Sequence, residues 1–189
     1  MAFDIETFIL DCQDALKSES PIPEIEKILK ESLSEPSAVK EVLNPAPQAS
    51  YSPLYVSDEL TILHFIWAPK MTMPLHNHNM WAVVGVYEGR EDHIFWRENP
   101  DGTLRAAGAA SIAAGETLFM GEPAIHSVTN PTSLFTGGIH IYGGNFYQTP
   151  RNGWDTLSLE KRILDSETNQ AIFDEENDIL RLLAAEKSR

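Results

Sequence analysis

Cysteine is almost missing from this chain: Cys12 is the only one among 189 residues. No internal disulfide can form, and a reducing compartment fits best. Cys12 itself reads as a small apolar residue on a helix face. Positive charge is also scarce. Lys and Arg number 14 against 28 Asp and Glu, a formal net charge of −14. That balance works against nucleic-acid phosphates and anionic lipid as partners. The acid lies mainly toward the two ends, as it does on solvated helix faces. No apolar run approaches the roughly 18 residues that a membrane helix needs. The opening stretch MAFDIETFILDCQDALKSES lacks the basic region of a secretory signal. A cytoplasmic protein with no nucleic-acid or membrane partner is expected. Fixed-period repeats and low-complexity tracts are absent from the sequence as well.

What is present has three sections. Phe3, Ile5, Phe8, Ile9, Cys12 and Leu16 recur at near-helical spacing. Pro21 and Pro23 then break the chain. A second helix is expected from about Ile25 to Leu33 and a third from about Ser37 to Leu43, with Ser37 as its N-cap. Pro45 and Pro47 mark a linker. From Tyr51 the pattern changes to short β-branched and aromatic segments, TILHFIW, MWAVVGVYEG, REDHIFWRE and SLFTGGIHIY. Turn signals such as Asn99-Pro100-Asp101-Gly102 separate them. A run of short strands at this spacing predicts an all-β barrel or sandwich over about 51–150. After Trp154 the composition is helical again. Ala171 to Lys187 carries Ile172, Ile179, Leu180, Leu182 and Leu183 as an apolar stripe. The expectation is one domain over 1–189: a helical segment 1–47, the barrel, and a helical segment 151–189. The helices would cover one side of the barrel.

Candidate chemistry lies in the histidines. His76 and His78 stand two apart in MPLHNHNMW. On a strand such residues share a face, so both imidazoles would project together. Neutral imidazole is the commonest protein ligand for borderline metals. A surface His-x-His is common, however, and alone carries little. A third histidine, His126, lies in GETLFMGEPAIHSVTN. There Gly115 and Glu116 open a strand, Gly121-Glu122-Pro123 makes a turn, and His126 follows it. Such a turn can aim a histidine at a site built elsewhere. His64 and His93 fall within apolar or charged strand segments and read as ordinary core or rim histidines.

Pro74-x-His76-x-His78, with the strand that ends at Tyr87-Glu88-Gly89, resembles the first cupin motif. Gly115 to Asn130 resembles the second, with its Gly and Pro in swapped order. Most cupins place a glutamate four or five residues after the second histidine of the first motif. This chain has Ala82 and Val83 there. A site of three histidines without carboxylate is similar to that of one cupin branch, the thiol dioxygenases related to cysteine dioxygenase. That branch has Ser, His and Tyr at alternate positions of a late strand. Gly138-Ile139-His140-Ile141-Tyr142 keeps the last two, and Gly138 replaces the serine. Gly143-Gly144 resembles bacterial members. The likeness extends over roughly residues 60 to 148.

The resemblance implies a mainly β fold, the cupin double-stranded β-helix or jelly roll, with helices before and after it. It implies Fe(II) held by His76, His78 and His126, and a small thiol oxidised to its sulfinate with O₂. Tyr142 would act as a hydrogen-bonding catalytic residue, oriented by His140, and Trp81 would form a pocket wall. Val83 stands where animal members carry a cysteine that crosslinks to the tyrosine, so no crosslink is expected. The family holds the substrate carboxylate with Arg or Gln on an early strand. Ser50 to Leu54 has neither, so cysteine is expected to be a poor substrate unless Arg90, Arg97 or Arg151 reaches the pocket. Two other readings stay open. One is a metal-dependent cupin acting on a non-thiol substrate, and the other is a cupin that binds a metal or small molecule without catalysis.

Overall fold

A computed structural model describes residues 3–187. The terminal residues of the expected helical segments, 1–2 and 188–189, lie outside the described residues. Three helices come first, α1 (Ile5–Ala15), α2 (Pro21–Ser32) and α3 (Pro36–Leu43). Eleven strands follow: β1 (Ser50–Val56), β2 (Thr61–Trp67), β3 (Thr72–Asn77), β4 (Ala82–Glu88), β5 (Arg90–Glu98), β6 (Leu104–Ala113), β7 (Thr117–Met120), β8 (Ile125–Thr129), β9 (Thr136–Tyr142), β10 (Asn152–Trp154) and β11 (Lys161–Ile163). Helix α4 (Ser166–Lys187) ends the described chain.

The strands form two antiparallel sheets, ordered β1-β2-β9-β4-β7 and β11-β10-β3-β8-β5-β6. Their inner faces enclose one core with Leu63, Phe65, Trp67, Met73, Val84, Val128 and Tyr142. This is the expected jelly roll. Alternation fixes which side chains enter it. On β4, Ala82, Val84 and Val86 face the inner core, whereas Val83 and Tyr87 belong to a second core on the outside of the five-stranded sheet.

Helices α1 to α3 build that second core, bringing Phe8, Cys12, Ile25, Leu29, Leu33 and Val39 against Ile62, Val83, Ile139 and Ile141. Cys12 is buried there, and burial pushes its thiol pKa up to about 12, which leaves it inert. Asp4 caps α1 by accepting from Thr7 N at 2.7 Å.

Several expectations need correction. Pro21 and Pro23 do not break the chain before α2 but form its first turn. The first N–H groups of a helix have no partner inside it, so proline loses nothing there. Likewise α3 starts at Pro36 with Glu35 as N-cap, and Ser37 lies inside it. Gly115, at φ +87°, belongs to the turn, and β7 begins at Thr117. The β-structure runs beyond residue 150 through β10 and β11, and α4 starts at Ser166 rather than Ala171.

The helices also cover two sides. Phe173 of α4 is fully buried in the inner core, with its ring centroid 5.0 Å from Tyr51 and 5.5 Å from Trp67. Asn177 anchors the same helix to the chain entering β1, through Ala49 N to its Oδ1 at 2.8 Å and its Nδ2 to Ala49 O at 2.9 Å. Of the expected stripe, Ile172 and Leu180 pack inward, but Ile179, Leu182 and Leu183 are exposed.

Helix α2 lies close on β4 at Gly85, where an added Cβ would fall 2.4 Å from Leu33 Cδ1 and 2.9 Å from Leu29 Cδ2. Both leucines are fully buried. Gly85→Ala is expected to destabilise the fold by about 1–3 kcal/mol, the usual range for overpacking. Urea denaturation measures it, and an unchanged midpoint would refute the tight α2–β4 seat.

Candidate metal centre

Strand pairing brings the three predicted histidines together. His76 on β3 is the direct cross-strand partner of His126 on β8, so the two rings share the inner face. His78 lies one residue past the end of β3 and still projects to the same place. One ring nitrogen from each can be chosen so that all three lie within 4.8 Å of one another, and all three residues are buried. The ring centroids are 4.5 Å apart for His76 and His126, and 5.0 Å for the two other pairs.

Burial keeps these rings neutral. It lowers the His76 pKa to about 4, against a smaller opposing effect of its bond to Pro74 O. It holds His78 and His126 well below the usual histidine value, with added repulsion from neighbouring imidazoles. A neutral imidazole has one bare nitrogen and one N–H. His76 Nδ1 sits 2.8 Å from Pro74 O and must donate there, which leaves Nε2 bare. His126 Nε2 and His78 Nε2 face each other at 3.4 Å. Three neutral imidazoles converging in a dry interior match the donor set of a borderline divalent metal. No carboxylate joins them among the described residues.

His140 and Tyr142 come from the facing sheet. On β9 they point inward, and both line the space in front of the histidines with Phe65, Trp67, Arg151 and Asn169. The Tyr142 ring stands edge-on to His78 at 5.0 Å between centroids. Burial raises its hydroxyl pKa well above the normal range. His140 Nδ1 lies 3.3 Å from Tyr142 Oη, and His140 Nε2 lies 3.1 Å from Glu91 Oε1. A carboxylate only accepts, so Nε2 carries the proton and Nδ1 is bare. Tyr142 therefore donates to His140 and turns its oxygen lone pairs toward the site.

Two expectations about neighbours fail. Trp81 does not line the site. It shares the outward phase of Val83, packs toward the helix-side core, and lies where a Cβ on Gly143 would meet its ring at 2.0 Å. Trp67 takes the inner place and donates from Nε1 to Glu91 Oε1 at 2.8 Å. His93 is not an ordinary core histidine either, because its Nδ1 lies 3.1 Å from His126 Nδ1. His64 does behave as a core histidine, bonded to Tyr87 Oη at 2.8 Å in the outer layer.

Two residues placed here, Glu91 and Asn169, escaped the sequence reading, and of the three candidate arginines Arg151 is the one that reaches this space. Glu91 is fully buried; burial pushes its carboxyl pKa up, but electrostatic attraction and hydrogen bonds from the His140 and His93 side chains outweigh this and hold it well below the carboxylate range. The available signal was its phase: Glu91, His93 and Phe95 occupy the inward positions of β5. Arg151 is buried over the Phe146 ring at 3.8 Å, with its Nε unpartnered among the described residues. Asn169 of α4 is buried, with its Nδ2 unpartnered among the described residues. Arg90 pairs with Asp92 on the surface, and neither it nor Arg97 lines this space.

No family model matches the chain. Solved structures similar to it include a recombinant oxalate oxidase in complex with glycolate, 15% identical with a TM-score of 0.42 over 53% of each chain. The match thus spans about half the length of the oxalate oxidase. An RmlC-like cupin family protein with a double-stranded β-helix fold from Methanocaldococcus jannaschii is 14% identical, with a TM-score of 0.44 over 53% of this chain and 84% of the other. A Bacillus halodurans protein is 14% identical, with a TM-score of 0.48 over 56% of this chain and 77% of the other. No helix among the described residues is long and apolar enough to cross a membrane.

The buried neutral histidines set a pH dependence. His64 and His76 bind a proton near pH 6.5 in the unfolded chain, but only near pH 4 in the metal-free folded one, chiefly because of burial. Their contribution is neutral to stability above the unfolded value. Below it, the unfolded state takes up protons that the folded state refuses. Stability is expected to fall from pH 6.5 toward pH 4, each such histidine adding a slope of up to about 1.4 kcal/mol per pH unit. Urea midpoints of metal-free protein across this range measure it. A flat profile between pH 7 and 5 would show that these rings are not held neutral.

Proposed function

We propose that the protein is a metal-dependent cupin oxidoreductase. In the reading best supported, Fe(II) at His76, His78 and His126 serves the oxidation of a small thiol to its sulfinate with O₂. The observation that carries the proposal is the closed cluster of three neutral imidazoles without a carboxylate, facing His140 and Tyr142. Such a ligand set leaves a divalent ion with its full positive charge, so it favours an anionic ligand such as a thiolate. When bound, ferrous iron supplies the redox chemistry that lets O₂ react with sulfur. The reaction balances as RS⁻ + O₂ → RSO₂⁻, with sulfur oxidised by four electrons and O₂ reduced by four.

The chain's own groups handle position and protons. Tyr142 Oη can accept the thiol proton while passing its own to His140 Nδ1. The resulting imidazolium is stabilised by Glu91 at 3.1 Å. Arg151 provides a buried cation in the same space, so the absence of Arg or Gln in Ser50–Leu54 does not exclude a carboxylate on the substrate. A thiol carboxylate is thus the favoured substrate class, and cysteine is again a candidate. The neutral ligand set also suits zinc, which would favour a non-thiol, non-oxidative reaction. Metal analysis of purified protein separates the two.

His76→Ala, His78→Ala and His126→Ala are each expected to lose most of the bound metal, as measured by elemental analysis. Full occupancy in all three would remove the site. Oxygen uptake by iron-loaded protein against a panel of thiols tests the reaction, and no uptake with any thiol would overturn it. Within that assay Tyr142→Phe should keep metal and fold but lower kcat by about 10²-fold, the usual contribution of a positioned proton-transfer group. Arg151→Leu should raise KM for thiol carboxylates by about 10–100-fold, the worth of one hydrogen bond to a charged group. A thiol lacking the carboxylate should be little affected. Equal effects on both thiols would place Arg151 outside substrate recognition.

A further inference from the structure

Glu91 has no part in holding a metal, yet it is fully buried at the meeting point of both halves of the site. Its Oε1 accepts from Trp67 Nε1 at 2.8 Å and from His140 Nε2 at 3.1 Å. Its Oε2 lies 3.3 Å from His93 Nε2, long for a hydrogen bond, and neither atom has a better partner among the described residues. On the other side of the His93 ring, Nδ1 lies 3.1 Å from His126 Nδ1. The chain of contacts therefore runs from the carboxylate through His93 to a histidine of the candidate metal centre.

The direction of each bond follows from chemistry. A carboxylate offers only lone pairs, so His93 Nε2 must carry the proton that faces it. A neutral His93 is then bare at Nδ1. It can accept there, and His126 Nδ1–H is the donor that meets it. A neutral His126 protonated at Nδ1 is bare at Nε2, the nitrogen that faces His78 at 3.4 Å. We infer that Glu91 is a positioning residue of the metal centre: acting through His93, it fixes His126 in the one tautomer that presents a bare Nε2. This rests on the metal-centre reading proposed above. Outer partners of this kind orient a ligating histidine and raise its basicity.

Gly138 supports the assignment. It stands where the resembling family has the serine of its Ser-His-Tyr strand. A Cβ there would fall 3.1 Å from Glu91 Oε1 and 2.9 Å from Gly85 O. The carboxylate occupies the space that a side chain at 138 would need, and it contacts His140 from the opposite sheet. Unlike a hydroxyl, which can give or accept, a carboxylate imposes direction on both imidazoles it touches.

Glu91→Gln tests the inference because it changes one arm only. The amide oxygen can still accept from Trp67 and His140, while the new NH₂ faces His93. His93 must then turn bare at Nε2 and protonated at Nδ1. His126 must answer by becoming bare at Nδ1 and protonated at Nε2, which blocks coordination. Metal affinity, measured by chelator competition on folded variants, is expected to fall by about 10–100-fold, the usual effect of losing an outer partner. His93→Phe keeps the ring volume and should weaken the metal by a similar factor. Trp67→Phe removes a donor from the same carboxylate without disturbing either tautomer, so affinity should stay within about threefold of the parent. A folded Glu91→Gln protein that holds metal as tightly as the parent overturns the inference alone. Should Glu91→Gln not fold, unchanged affinity in His93→Phe overturns it. A parent protein that holds no metal overturns the centre and this inference together.

Discussion

Cross-strand register on β8 is the constraint on which the candidate site depends. His126 is paired with His76 on one side and with Phe95 on the other. A slip of one residue would turn His126 outward and put Ile125 in its place, because side chains alternate with a period of two. The register is secured away from the site. Asn130, just after β8, donates to Ala68 O at 2.9 Å and Leu134 O at 2.8 Å, and Thr132 returns to its Oδ1. Val128 packs into the inner core two residues from His126. The metal-binding geometry is thus a consequence of how a loop and an apolar strand end are fastened.

The second organising feature is a buried anion, Glu91, set among imidazole and indole rings. A lone carboxylate in such a place would be strongly disfavoured, and three donors surround Glu91 instead. Those donors come from both sheets: Trp67 and His140 from one, His93 from the other. Glu91 therefore couples the sheet that holds the three histidines to the sheet that holds Tyr142. The same atoms that satisfy the anion also decide which nitrogen of His140 and His93 is bare. Stability and site chemistry share one set of hydrogen bonds here.

Much of this was legible in the sequence. The two-residue spacing of His76 and His78, the Gly-Pro turn before His126 and the His-x-Tyr of β9 each state a face directly, because a strand has only two. What was not legible has physical causes. Trp81 and Trp67 are both strand aromatics, and only the phase relative to the sheet's inner face separates them. Trp81 falls in the outward phase of Val83, and Trp67 in the inward phase of Phe65. Glu91 lies between Arg90 and Asp92, which are surface residues, so composition masks its burial. Arg151 follows an irregular stretch after β9 whose path no periodicity encodes. Helix α4 shows an apolar stripe, but the stripe does not say that Ile172, Phe173 and Leu180 pack on the core while Ile179, Leu182 and Leu183 stay exposed.

The placement of Arg151 also bears on how an anionic substrate could be taken up at all. A net charge of −14 repels an approaching thiolate or carboxylate at long range. At physiological ionic strength that repulsion is screened beyond about 8 Å, so it slows encounter more than it weakens a formed complex. Within the pocket the balance differs. Arg151 is buried and stacked on Phe146, which replaces part of its lost hydration by a cation–π contact, while its Nε has no partner among the described residues. A buried cation attracts more strongly than one at the surface, because little water intervenes. On the function proposed here, affinity for an anion arises inside the barrel, from Arg151 and the metal, while the acidic exterior plays no part in drawing it there.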